Sequence, residues 1–470
     1  TTVTDGVYVG KAPAFIVDYK AAVRYLRHNK SKLPAGDTEK IISNGTSAGG
    51  ALSAALGSMG NAEEFNPYLK EIGAADERDD IFASSDYCPI TNLENADAAY
   101  EWMMGQYASD GARADGTWTR QLSDDLAAAY GSYVNELGLV DDEGETLTLD
   151  RIEDGTYGGG SYYDHLVGVV EDAARVFFKR TKFPYTDVPA TESARQFPGN
   201  PSLSAMGTGG ATLEEDDDAS QLSGVRQVQA TVYETLESYV TSLNGDNRWL
   251  TYNASRGLVD VTGLWDFAAS CRPSTDNLCA YDLIDRSGFV NQLFGTDELS
   301  SVHFDAMLSR LIEENGDRYA KADGWDGELV AACRGDLVET DVADLTVADR
   351  VTMMDPLRYL LAEGDDVEPA TVAPHWRVNT GLFQSKTTLA GEVNLVRALA
   401  AHEAVKDVTF EPVWGAGFTL AERRGDAEDN LISWICSCCP QAEQAAEPDE
   451  GQGEADDVSE DQSSGQSTGE

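Results

Sequence analysis

Positive charge, histidine and long apolar runs are all scarce in this sequence. Its 470 residues carry 34 Lys and Arg against 82 Asp and Glu, a formal net charge of −48. Such a chain repels polyanions, which argues against nucleic acid and anionic membranes as partners. No stretch approaches the apolar length of a bilayer span. The chain opens at Thr1 with no basic-then-apolar leader, so it reads as soluble, with a processed N-terminus or as a piece of something longer. Its compartment and oligomeric state stay open. Seven cysteines without regular spacing exclude a secreted disulfide framework. Cys436, Cys438 and Cys439 lie close together, but no His or Cys cluster accompanies them in sequence. Reduced structural thiols are expected there, with no metal and no cofactor.

Against that background one segment stands out. Asn44-Gly45-Thr46-Ser47-Ala48-Gly49-Gly50 reads G-x-S-x-G with one extra glycine. The apolar run Lys40-Ile41-Ile42 precedes it, and a small-residue helical pattern from Ala51 to Gly57 follows. Strand, tight turn and helix form the setting in which this motif holds a serine on a nucleophile elbow. A serine on such a turn tolerates no bulky neighbour, so Gly45 and Gly49 are expected where helix and strand approach. The helix N-terminus aims N–H groups and its positive dipole end at a developing oxyanion, with the Ala48 N–H as the expected donor. The competing reading is a glycine-rich turn with an incidental serine.

The rest of the pattern places this elbow. Phe15, Ile16, Tyr19, Ala22, Val23 and Leu26 recur at helical spacing, so 6–29 reads as one helix. Residues 80–85 read as a second buried strand, completing a parallel α/β unit. Helical periodicity then dominates, as at 122–137 and 225–243, with glycine-rich and acidic loops at 155–160 and 207–218. The α/β pattern returns with a strand at 373–380, a helix at 389–402, a strand at 408–414 and a helix at 430–436. The last thirty residues hold ten acidic and no basic side chains. They cannot bury enough apolar surface to order themselves. The expected division is a core at 1–88, a helical insertion at 89–341, the rest of the core at 342–440 and an acidic tail at 441–470.

Several segments together resemble one family. They are Gly45 to Gly50, Tyr87-Cys88-Pro89-Ile90-Thr91-Asn92-Leu93, Asp97-Ala98-Ala99-Tyr100-Glu101-Trp102 and Asn291-Gln292-Leu293-Phe294-Gly295. His303-Phe304, His375-Trp376-Arg377 with Thr380-Gly381, and Val413-Trp414-Gly415 with Ala421-Glu422-Arg423 complete the set. The set is similar to bacterial tannases, serine esterases of the α/β-hydrolase fold related to feruloyl esterases. The resemblance spans 10–435. It implies an α/β-hydrolase parallel sheet with a large, mostly helical lid. It further implies hydrolysis of galloyl or related phenolic esters through a serine acyl-enzyme, with a small phenolic ester as ligand. Carried over residue by residue, it makes Ser47 the nucleophile and Ala48 the oxyanion amide, and assigns no substrate-binding residue.

Two departures from the family pattern follow. The turn expected to carry the triad acid reads Phe383-Gln384-Ser385-Lys386-Thr387, and the expected histidine position holds Phe418. Only about one helix and one turn precede the elbow strand, so the N-terminal strands of the fold, with their oxyanion loop, are expected to be missing. The edge of the elbow strand would then be open. The five histidines can be taken in turn. His28 and His402 suit helix C-termini. His165 suits packing among aromatics. His303 stands near Asp305, which can orient it. His375 suits a hydrogen-bonded core position. Asp86 is the substitute candidate for the acid. An active esterase, a degenerate relative that binds phenolic ligands, an incomplete fragment and an interaction module built on the acidic tail all remain open.

Overall fold

The computed structural model describes residues 2–4, 7–109, 111–187, 231–272, 278–296, 299–361, 370–418 and 420–439. The acidic loop at 207–218 and the tail at 441–470 lie outside the described residues.

The centre is a four-stranded, wholly parallel sheet. Its strands are β1 (Ile42–Thr46), β2 (Ala83–Tyr87), β3 (His375–Gly381) and β4 (Asp407–Val413), in the order β4-β3-β2-β1. β2 and β3 are buried along their whole length, as strands covered on both faces must be. β1, which carries the elbow, is the edge strand among the described residues, and none of its residues is fully buried.

Helices flank this sheet. α1 (Ala14–His28) packs Ile16, Val17 and Val23 inward. It starts later than its periodicity predicts because Pro13 stands at its start and the chain before it pairs as a hairpin, Thr2–Thr4 with Val7–Val9. α2 (Ala48–Ser58) follows β1 directly.

Between β2 and β3 runs a mostly helical insertion, with α3 (Leu93–Met103), α4 (Trp118–Glu136), α5 (Ser161–Arg180) and α6 (Ala306–Tyr319) among its longer helices. α5 buries Tyr162, Leu166, Val170, Ala174 and Phe178, one stripe at helical spacing. In the described part of 225–243 the helix is shorter than expected. Thr231–Tyr233 is a strand of β-branched and aromatic residues, and the helix begins only at Leu236, behind the capping box of Thr235 and Ser238. The glycine-rich stretch at 155–160 also contributes a short strand, Tyr157–Gly159, paired with Asp150–Arg151.

The insertion reaches the C-terminal end of the sheet through aromatic rings. Phe178, Trp249 and Phe267 surround Trp414, just past β4, and the Trp414 Nε1–H donates to the Tyr239 hydroxyl at 3.1 Å. After β3 come α7 (Leu389–Ala401), β4 and α8 (Ala427–Cys438).

The family-like segments, scattered in sequence, meet in space. The Asp97 carboxylate accepts the Tyr281 and Asp282 N–H groups, each at 2.9 Å. Asp282 in turn accepts from Asn291 (2.7 Å), Phe304 (2.8 Å) and Asp305 (2.9 Å). Tyr87, Arg377 and Glu422 form one hydrogen-bonded knot.

Candidate active site

Ser47 joins β1 to α2 at φ 59°, ψ −124°, a left-handed backbone conformation that a non-glycine residue adopts only when its surroundings impose it. Two hydrogen bonds do so. Ser47 N–H donates to the Tyr87 carbonyl at 2.9 Å, and the Ser47 carbonyl accepts from Ala51 N–H at 2.9 Å. A Cβ at Gly45 would stand 2.0 Å from the Gly49 carbonyl oxygen, and one at Gly50 2.7 Å from the Tyr87 oxygen. Close packing of helix on strand thus needs Gly45 and Gly50. Gly49, expected to serve that purpose, faces open space. Ala48 opens the helix, so its N–H is among those that α-helices leave without an internal partner. Ser47 is half-buried.

The Ser47 hydroxyl has no hydrogen-bond partner among the described residues, and each histidine is accounted for elsewhere. His28 ends α1 beside Glu77 at 4.0 Å. His165 is half-buried within α5, and burial lowers its pKa. His303 is oriented by Asp282 at 2.8 Å and not by Asp305, whose carboxylate accepts the Leu308 N–H as the N-cap of α6. His375 bonds Asp407 at 2.7 Å at the start of β3, as a core histidine. His402 caps α7, and its Nδ1 accepts from Ala404 N–H at 3.2 Å.

Asp86, the substitute acid, lies under the elbow opposite Gly45. Ser43, Ser53 and Ser84 form a hydroxyl chain with links of 2.7 and 2.9 Å, and Ser84 donates to Asp86 Oδ1 at 2.9 Å. Asp86 Oδ2 is buried without a partner. Burial drives this carboxyl up to about 7, against the pull of the Ser53 and Ser84 hydroxyls. Near neutrality it therefore holds its proton only part of the time, and among the described residues it pairs with the serine hydroxyls and with no imidazole.

The turn after β3, where the resemblance leads one to expect an acid, holds buried Gln384. Its side-chain carbonyl accepts from Lys386 N–H at 2.6 Å and Thr387 N–H at 3.0 Å. Half-buried Phe418 lies in the loop after β4, and that loop touches the same turn. Phe383 N–H donates to the Ala416 carbonyl at 2.9 Å, and Gly381 lies against the Gly417 carbonyl.

Two groups at this end of the sheet escaped sequence reasoning. Arg272, from the insertion, is fully buried and aims its guanidinium at the carbonyls of Gly381, Leu382 and Thr387. Glu392, in the first turn of α7, accepts from Thr380 at 2.8 Å and Thr387 at 2.7 Å, and burial pushes it up to about 7. Its position in a helix's first turn reads as a solvated dipole partner, so only the fold reveals its burial. A cavity of about 20 Å³ lies nearby, lined by Asn92, Tyr130, Tyr133, Tyr281 and Thr387 among others, room for one water.

One group among the described residues could hold a metal ion, and it sets partners beside Cys438, where none were expected near the C-terminal cysteines. His375, Asp407 and Cys438 each place a ligand atom within 4.8 Å of the other two. No helix among the described residues is long and apolar enough to cross a membrane.

Residues 7–118, which include the elbow, match the BD-FAE family, an esterase domain. No curated protein sequence matches the chain. Among solved structures, the tannase of Fusobacterium nucleatum is 29% identical with a TM-score of 0.60, over 93% of this chain and 75% of that one. A tannase from Lactobacillus plantarum is 27% identical with a TM-score of 0.62, over 93% and 75%. A tannin acyl hydrolase in complex with ethyl gallate is 27% identical with a TM-score of 0.57, over 93% and 74%. This chain, with its parallel sheet, flanking helices and helical insertion, is thus similar over nearly its whole length to bacterial tannases of the α/β-hydrolase fold.

Proposed function

We propose that this chain is a tannase-like ester hydrolase for small phenolic esters, galloyl esters among them. Ser47 takes the acyl group and the Ala48 N–H donates to the developing oxyanion. The observation that carries this reading is the backbone of Ser47, held at φ 59° between strand and helix with its hydroxyl unpartnered. The match to an esterase domain and the ethyl gallate held by a similar protein support it. In the mechanism the Ser47 hydroxyl oxygen attacks the ester carbonyl carbon, and the alcohol leaves with a proton. Water then cleaves the acyl-serine to release the phenolic acid. Residues 89–341 act as the lid.

No imidazole among the described residues reaches Ser47, so its proton passes to solvent hydroxide. That sets the rate low and makes it rise with pH without a plateau near neutrality. A second reading, a degenerate relative that binds phenolic ligands without turnover, is favoured by Gln384 and Phe418 standing where the acid and histidine are expected. Hydrolysis of methyl gallate by the chain and its Ser47→Ala variant decides between them. Serine-dependent turnover supports the first. Gallate binding in calorimetry, with equal background rates in both proteins, supports the second.

A further inference from the structure

We propose that His375, Asp407 and Cys438 form a binding site for a zinc-class divalent cation, one that clamps α8 to the sheet. The three side chains come from three different elements. His375 and Asp407 are the first residues of β3 and β4 and stand opposite each other in register. Cys438 is the last residue of α8. Imidazole nitrogen, carboxylate oxygen and thiolate sulfur together make a donor set suited to zinc.

The geometry is close to what a tetrahedral ion needs. The His375 Nδ1 and Asp407 carboxylate oxygen are 2.7 Å apart, and one ligand atom of each of the three residues lies within 4.8 Å of the others. A tetrahedral ion with bonds of about 2.0–2.3 Å holds its ligands about 3.5 Å apart, so loading asks for shifts of about 1 Å. The Phe82 ring, 4.8 Å from the His375 ring centre, fixes the imidazole plane. The Asp407 side chain is 52% exposed, which leaves a path for the ion and a fourth position for water.

Two independent features of α8 call for a cation there. Cys438 is the only residue of α8 that is fully buried, so little apolar surface holds the helix down. The helix also ends at this point with no basic residue in its last turn. Its C-terminal carbonyls carry a partial negative charge that a bound cation would offset. The site lies at the opposite end of the strands from Ser47, so it supports the fold and takes no part in ester chemistry.

Loading deprotonates the Cys438 thiol, and the proton leaves to solvent. The test uses the full chain, stripped with a chelator and titrated with Co²⁺. The expected result is one tight equivalent with a thiolate-to-cobalt absorption band, displaced by Zn²⁺, and a rise in melting temperature with Zn²⁺. Cys438→Ser should abolish the band and the melting shift, and Asp407→Asn should weaken affinity about 100-fold, at least the cost of losing an outer-shell partner. Cys436→Ser, at an exposed position, should change neither. Circular dichroism in chelator checks that each variant is folded. Cobalt binding without a thiolate band, or a band that survives Cys438→Ser, overturns the proposal. Binding by scattered surface carboxylates gives that first outcome.

Discussion

Gln384 closes a ring with Thr387: its side-chain carbonyl accepts the Thr387 N–H at 3.0 Å while its amide donates to the Thr387 hydroxyl at 2.5 Å. A carboxylate would accept the same N–H groups and add charge. The two N–H groups of the turn would serve an acid as they serve Gln384, at the loss of the amide's donation to the Thr387 hydroxyl, and the adjoining loop brings Phe418 to the same end of the sheet.

It follows that the missing chemistry can be added back. Gln384→Asp with Phe418→His should raise Ser47-dependent hydrolysis of a p-nitrophenyl ester roughly 10²-fold, the low end of what a general base contributes. Either change alone should gain little, because an imidazole without its acid is poorly oriented and unstabilised when charged, and the acid without an imidazole has nothing to orient. Equal gains from Phe418→His alone and from the pair would contradict this reading.

The elbow itself yields a pair of opposite predictions. Gly45→Ala places a methyl group 2.0 Å from the Gly49 carbonyl, backbone against backbone, and should cost at least about 3 kcal/mol. Gly49→Ala meets nothing within 4 Å and lies inside α2, so it should stabilise by about 0.5–1 kcal/mol. Urea midpoints of the two variants check this. A Gly45→Ala midpoint matching the parent would mean that helix and strand are not so close.

The elbow was legible in the sequence because its signal is local: strand, turn glycines and helix lie within about twenty residues. The strands around Ser84 and Trp376 were legible for the same reason, as runs between turn residues. The positions where the resemblance leads one to expect an acid and a histidine hold Gln384 and Phe418. What could not be read was which distant side chains meet. Arg272 contacts the β3 turn across more than a hundred positions, and neither periodicity nor spacing encodes that. Sequence proximity pairs His303 with Asp305, but Asp305 caps α6 through Oδ1 and the fold sets Asp282 against the imidazole instead. Cys438 likewise looked isolated until the register of β3 and β4 set His375 and Asp407 beside it.

Burial of Asp86 gives a pH dependence with a definite sign. Its carboxyl moves from 3.8 to about 7 on folding. Between those values the folded chain holds a proton that the unfolded chain has released, so stability falls as pH rises through the window, by up to about 4 kcal/mol. Asp355 and Glu392, also pushed up to about 7 by burial, add slopes of the same sign. Asp86→Asn should leave stability near that of the parent below the window and raise it above, flattening the curve. Urea unfolding across the range checks this, and an unchanged slope would place the Asp86 proton elsewhere.

The Arg377–Glu422 pair tests whether the scattered family-like segments hold the fold together. Both side chains are almost wholly buried, at 6% and 7% exposure. Arg377 also donates to the Tyr87 hydroxyl at 2.7 Å, and Asn430 donates to the far oxygen of Glu422 at 2.8 Å. Arg377→Met leaves the Glu422 carboxylate buried without its cation and should cost about 3–5 kcal/mol. The double change Arg377→Met with Glu422→Gln removes that stranded charge, keeps one of the two acceptor oxygens that Tyr87 and Asn430 use, and should recover part of the loss. Their coupling, read from urea midpoints at unchanged slope, should therefore be favourable and above about 1 kcal/mol, since the residues touch. Additive losses would mean that Arg377 acts through its packing on the Tyr87 ring, 4.9 Å from the guanidinium, and not through Glu422.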